Sequence, residues 1–346
     1  MTVDREIWQS TIMQALYAAN PHLNLCSNAD QYVLQGKVVH IPQAGASPGV
    51  QKNRTQLPAN VTRRTDIDIT YAIDEYTSDP IHITNAETIE PSYNKRAAVL
   101  EDMQNKLNDT VGVCTLKNWA PTKAVRIIRT TGAAVDSHLE GSAGSRKSFV
   151  LANLKAAQKQ FNKDNMPTEG RYAMFDADMY DQLTEQMTET QYRDFSRAYD
   201  EKNGIVGKLF GFNILSRSFV LKYNGSVPVE PGTGGHAPDC AAILCWHTSA
   251  VEKAQGDIKF FEDEANPLYF GDIYSALVRL GGRIRHQNQE GVVAIVQGLV
   301  STPWATGTTY KVNDFVTNAG KTYVCLEAHN AAEDFATDAA KWEEIV

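Results

Sequence analysis

Between Pro91 and Pro121 the sequence permits one regular structure. Leu100, Met103, Leu107, Val111 and Cys114 recur at spacings of 3, 4, 4 and 3, the period of one helical face. Pro91 suits a first helical turn and Pro121 ends the run. A helix from Pro91 to Trp119 is about 40 Å long at 1.5 Å per residue, well above the usual helix. A rod of that length with one apolar stripe has to lie along a body of other elements. The chain's 346 residues suffice for one large or two to three ordinary domains. Gly112 is the expected weak point or kink.

Upstream, REIWQSTIMQALYAAN carries Ile7, Ile12 and Leu16 on a helical stripe stopped by Asn20 and Pro21. QYVLQGKVVHIP and TDIDITYAI alternate apolar and polar residues as two strands around a polar 43–64 segment, which predicts an extended arm-like hairpin. Charge is segregated along it. Residues 31–65 hold Lys37, Lys52, Arg54, Arg63 and Arg64 with no acid, whereas residues 66–90 hold Asp66, Asp68, Asp74, Glu75, Asp79, Glu87 and Glu90 with no Lys or Arg. Either the two strands pair opposite charges, or these groups set the register between subunits.

Downstream, KAVRIIRTT predicts a strand and FVLANLKAAQKQFNKD a helix with Val150, Leu154, Ala157 and Phe161 on one face. RYAMFDADMYDQLTEQM reads as a strand turning into a helix, and short strands alternate with turns from there to GVVAIVQGLV. After Ser301, Thr302 and Pro303, two strands around an Asn318-Ala319-Gly320 turn predict a separate small β module. No internal repeat of fixed period is present.

The net charge is −8, half of it carried by the last 45 residues, so a dedicated nucleic-acid binder is excluded and any such contact is local and weak. No segment approaches the ~18 apolar residues of a membrane span, so no membrane partner is expected. The start lacks a signal-peptide core, which points to synthesis in cytoplasm. Five scattered cysteines argue for reduced, buried thiols over a disulfide framework.

The stretch GSAGSRKS, residues 141–148, nearly spells a phosphate-binding loop, with Gly141, Lys147 and Ser148 in place. Arg146 stands where the second glycine belongs, and that glycine allows backbone to approach phosphate. A turn that ends in a helix capped by Ser145 or Ser148 is the better expectation. His236, Cys240, Cys245 and His247 are zinc-competent side chains, but the two cysteines face opposite sides of a strand, so a buried apolar strand is expected. Asp136, Ser137 and His138 are triad types that cannot converge from adjacent positions. Asp176, Asp178 and Asp181 read as acids at a helix start. No catalytic residues, metal or cofactor are expected.

Several runs together resemble the major capsid proteins of tailed bacteriophages, with the Hong Kong 97-type fold, over residues 30–300. They are YNKRAAVLEDMQNKLNDTVGVCTLKNWAP, IRTTG, GSAGSRKSF, MPTEGRYAMFDADMYDQL and GDIYSALVRLGGRIRHQNQEGVVAIVQG. The resemblance implies an α+β fold with an N-terminal arm at 1–31, an extended E-loop hairpin at 32–88 and a peripheral domain at 89–167 holding the spine helix 91–119. An axial domain at 168–265 and a return to the peripheral domain at 266–301 complete it. It also implies subunits that self-assemble into hexamers and pentamers of an icosahedral virion shell around double-stranded DNA, contacted non-specifically. A separate scaffolding protein, a portal and auxiliary head proteins are the implied partners, with assembly in host cytoplasm. Lys52, Arg54, Arg63, Arg64, Asp74 and Glu75 are then the candidate inter-subunit contacts, and the basic pair Arg146-Lys147 meets a neighbour or packaged DNA.

Residues 302–346 are similar to small chitin-binding-type carbohydrate modules, through Trp304, Tyr310, Asp314, Val316, Gly320, Lys321, Tyr323 and Trp342. VCLEAH departs from the paired aromatics of such modules. The resemblance implies an all-β module projecting outward, with Trp304, Tyr310, Tyr323 and Trp342 as candidates for stacking on surface glycans. Most rings of so small a domain are needed for its own core. The competing readings are an encapsulin-like protein compartment and a glycan-binding adhesion or tail component.

Overall fold

The structure is a computed structural model that describes residues 2–34, 38–43, 52–55, 67–84 and 95–345. The chain forms two compact units. One comprises Met1–Gln9, Asn28–Arg96 and Lys253–Gly281, the other Ser10–Ser27, Ala97–Glu252 and Gly282–Val346.

In the first unit, the strands Val38–Gln43 and Ile67–Ala72 pair antiparallel from Val38↔Ala72 to Gln43↔Ile67, forming the stem of the expected arm. No pair in this register joins a Lys or Arg to an acid, so the described stem carries no cross-strand charge pairing. Most of the polar 43–64 segment, and with it Lys37, Arg63 and Arg64, lies outside the described residues. Two long neighbouring strands, Val251–Asn266 and Gly271–Ile284, replace the short strands expected here. Along the outer half of Val251–Asn266 the alternate residues Asp257, Lys259, Phe261 and Asp263 are exposed, whereas Gly271–Ile284 has no exposed residue. Gly271–Ile284 is edged antiparallel by Asp74–Thr77 and Ile81–Thr84.

The second unit is built on an eight-stranded sheet. Its spine is Cys240–His247, in which every residue is buried. Alternate residues serve alternate faces, as strand geometry demands. Cys240, Ala242, Leu244 and Trp246 pack into one core with Leu116 and Trp119 of the long helical segment. Ala241, Ile243 and Cys245 pack into a second core with Leu154, Ala157 and Phe161 of the helix Leu151–Lys163. The two cysteines therefore face opposite cores, His236 is exposed, and no zinc-like convergence forms. Burial pushes the Cys245 thiol above its ordinary pKa.

The same sheet joins Ile127–Arg129, Arg171–Phe175 and Val292–Val296. Val292–Val296 pairs with Cys240–His247 from Trp246↔Val292 to Ala242↔Val296 because both are apolar on both faces.

The long helix is described over Lys95–Asn118, and residues 91–94 lie outside the described residues. Leu100, Met103, Leu107 and Val111 are buried as the spacing predicts, while Val113 and Leu116 widen the stripe. Trp119, just beyond its end, is fully buried and donates Nε1–H to Glu252 O at 3.0 Å. The helix runs unbroken through Gly112.

Candidate assembly and binding surfaces

Of the candidate inter-subunit residues, Lys52 and Arg54 are exposed and Arg63 and Arg64 lie outside the described residues. Asp74 and Glu75 are exposed on Asp74–Thr77, where the Glu75 carboxylate accepts from Arg279 Nη2 at 2.7 Å. A larger feature had no counterpart in the sequence reading. The turn between the two long strands presents Leu268, Tyr269 and Phe270 at 81%, 56% and 77% exposure. Phe261 is exposed beside it in sequence, and residues 260–278 carry Glu262, Asp263, Glu264 and Asp272 with no Lys or Arg. An apolar, acidic tip of this kind marks an interaction surface. Phe270 also adopts φ 52°, a conformation costly for a bulky side chain.

The loop 141–148 corrects two expectations. Ser145–Lys147 is a strand, and the helix Leu151–Lys163 is capped at Val150, whose N–H donates to Asn153 Oδ1 at 3.0 Å. Neither Ser145 nor Ser148 caps it. Neighbouring N–H groups at Phe149 and Leu151 are satisfied by Gln182 and Gln186, at 2.7 and 3.1 Å. Arg146 is fully buried and donates to backbone carbonyls of Ala143, Ala237 and Asp239, so only Lys147 of the basic pair faces solvent. A buried guanidinium with five donors is satisfied by carbonyls as well as by acids.

The triad types disperse. Asp136 accepts from Ser145 Oγ at 3.5 Å, Ser137 bonds Ser142, and His138 Nε2 lies 3.0 Å from Asp176 Oδ2. Asp176 also caps its helix, accepting from Met179 N at 2.7 Å. His138, Asp176, Asp178 and Lys222 line a cleft of about 610 Å³. Burial alone would lower the His138 pKa, but the hydrogen bond and charge of Asp176, with the charge of Asp178, outweigh it and hold the imidazole above its ordinary value. Among the described residues, no group of three or more His, Cys, Asp or Glu is placed to hold a metal.

In the C-terminal segment, Phe315–Asn318 and Lys321–Cys325 form the expected hairpin, with Ala319 and Gly320 both at positive φ in its turn. Two of the four stacking candidates are core residues. Tyr310 and Trp342 are 5% and 6% exposed and pack edge to face, 5.1 Å between centroids. So small a domain spends its largest rings on its interior. Trp304 and Tyr323 stay half-buried, both against Phe335, at 5.7 and 4.7 Å.

The backbone is similar in fold to solved phage structures. Against the capsid of Ralstonia phage GP4 the TM-score is 0.54 at 13% identity, over 82% of this chain and 89% of that one. For the capsid structure of cyanophage P-SCSP1u the values are 0.52 and 18%, over 78% and 86%. A Mycobacterium phage Bobi structure gives 0.53 and 12%, over 80% and 90%. The chain has the phage capsid fold. It is the Hong Kong 97-type architecture that the sequence resemblance implied. Residues 303–343 match the model of carbohydrate-binding module family 5/12. No curated protein matches the chain in sequence.

Within the capsid fold, the signal for the exposed tip was NPLYFG, an apolar run inside turn residues. No helix among the described residues is long and apolar enough to cross a membrane.

Proposed function

We propose that copies of this chain form the shell of a tailed-phage head, as hexamers and pentamers that enclose double-stranded DNA. Residues 302–346 are displayed outward as a carbohydrate-binding module. The observation that carries the reading is the capsid fold with an exposed Leu268-Tyr269-Phe270 tip, since a subunit of a closed shell must offer apolar surface for neighbours to cover. The exposed cations Lys52 and Arg54, with Arg63 and Arg64 on the same acid-free stretch, suit an acidic surface of the adjacent subunit. A separate scaffolding protein and a portal are its expected assembly partners. The chain is then a structural protein, not an enzyme.

Electron microscopy of the purified full-length chain, alone and co-expressed with a scaffolding protein, tests this. Closed shells or capsomer rings are expected. Only monomers under both conditions would refute the reading, and shells that hold protein cargo without DNA would move it to an encapsulin-like compartment.

The glycan side rests on the module match and on the half-buried rings of Trp304 and Tyr323. Trp304→Ala is expected to lower retention on chitin about tenfold, the value of one good aromatic stack. Trp342→Ala instead removes core and should unfold the module, at about 3–5 kcal/mol. Equal retention of wild type and Trp304→Ala on a panel of polysaccharides would remove this face as the binding site.

A further inference from the structure

The loop 141–147 is held far more firmly than a surface turn requires. A Cβ built on Gly235 would lie 2.0 Å from Glu140 O, so the loop and the glycine-rich 231–235 stretch touch backbone to backbone. Ala143 N donates to Ala237 O at 3.2 Å, and Arg146 clamps the carbonyls of Ala237 and Asp239 at 2.7 and 2.9 Å. The C-terminal module rests on this platform. The Arg146 guanidinium lies over the Phe315 ring, 5.2 Å from its centroid, and a Cβ on Gly144 would meet the same ring at 2.8 Å.

The module's sheet has two faces, and the contact uses the one that its own core leaves bare. In the register Val316↔Tyr323 and Phe315↔Val324, Val316, Tyr323 and Cys325 share the side of the aromatic core. Phe315 and Val324 therefore point from the opposite side. In an isolated module that side would meet water, yet Phe315 and Val324 are 6% and 2% exposed. The connection has no slack either. Gly298–Leu299 pairs antiparallel with Ser145–Lys147, Val300 N donates to Ser145 O at 3.2 Å, and Thr302–Pro303 already lies beside Phe315–Asn318 in the module's sheet.

We propose that residues 141–147 are a built-in dock that fixes the C-terminal module in one orientation through the back of its sheet, with the Trp304, Tyr323 and Phe335 rings on the open side. The dock stands on these contacts alone; its consequence rests on the shell and glycan readings above. A binding face mounted rigidly on every subunit recurs at the spacing of the lattice, so a polymeric glycan engages many weak sites at once. The near-match to a phosphate loop is thereby explained: the glycines permit close backbone approach, to another loop and to a ring instead of to phosphate.

The test is limited proteolysis of the full-length chain at residues 300–303, with tryptophan fluorescence reporting the module's fold. Wild type should resist cleavage there. Phe315→Ser, which removes one buried ring from the dock, should raise the rate about tenfold or more. Val324→Thr keeps the strand shape while placing a hydroxyl on the same back face, so it serves if Phe315→Ser unfolds the module. Faster cleavage with an intact fluorescence signal supports the dock. Wild-type cleavage as fast as in Val324→Thr would overturn it. Retention on chitin and shell formation are read separately, so loss of either with a protected 300–303 segment counts against the functional reading and not against the dock.

Discussion

Phe270→Asn is expected to stabilise the subunit and to impair its assembly. The residue lies at φ 52°, where a bulky L side chain crowds its own backbone and asparagine is tolerated. Relief of that strain is worth about 1 kcal/mol. The ring contributes little to the fold in return, being 77% exposed at a turn closed by Phe270 N donating to Asn266 O at 2.9 Å. A strained and exposed aromatic is explained if another subunit covers it. Covering a ring of this size stabilises by about 1.5–3 kcal/mol, so its loss raises the concentration needed for assembly at least about tenfold per contact. Repetition around a closed shell compounds the effect. Adding Leu268→Ser and Tyr269→Ser should abolish shells altogether. Thermal melting and light scattering on the same preparations give both signs. Assembly of Phe270→Asn at the wild-type concentration would remove the tip as an assembly surface.

The contrast between what periodicity foretells and what it misses follows one physical line. The stripe Leu100, Met103, Leu107 and Val111, the buried strand at Cys240–His247 and the turn at Ala319-Gly320 are properties of adjacent residues, and the structure keeps them. Arg146 was legible as a departure from a phosphate loop but not as a buried clamp, because the carbonyls it clamps across the fold, at Ala237 and Asp239, lie about ninety residues away. Trp304 and Trp342 are equivalent in composition; only the folded sheet decides that Trp342 is interior. The sheet joining 127–129, 171–175 and 292–296 likewise gathers strands far apart along the chain. Its strands pair by their doubly apolar character, which no linear segment boundary records.

Gly112 shows the same lesson with a measurable sign. From the sequence, Gly112→Ala in a helix should stabilise by about 0.5–1 kcal/mol, since glycine has more backbone freedom to lose. The structure reverses this expectation. A Cβ there would lie 1.9 Å from Asn20 Oδ1 and 2.5 Å from Arg217 Nη1. Asn20 cannot retreat: it is 1% exposed, donates Nδ2–H to Asn108 O at 2.8 Å and to Leu16 O at 3.2 Å, and accepts from Arg217 Nη1 at 2.8 Å. Arg217 is in turn tied to Asp109, so the first helix's end is clamped to the long helix through this one amide. Overpacking costs about 1–3 kcal/mol and a stranded buried hydrogen-bonding group about as much again. The net expectation for Gly112→Ala is a loss of about 2–4 kcal/mol in denaturant unfolding. Asn20→Ala removes the nearest obstacle and leaves only the Arg217 guanidinium end, released from its bond to Asn20, to give way, so adding Gly112→Ala to that background should cost clearly less than it does alone. A single Gly112→Ala variant that melts at or above wild type would mean that the clamp yields, and that the glycine is there for some reason other than room.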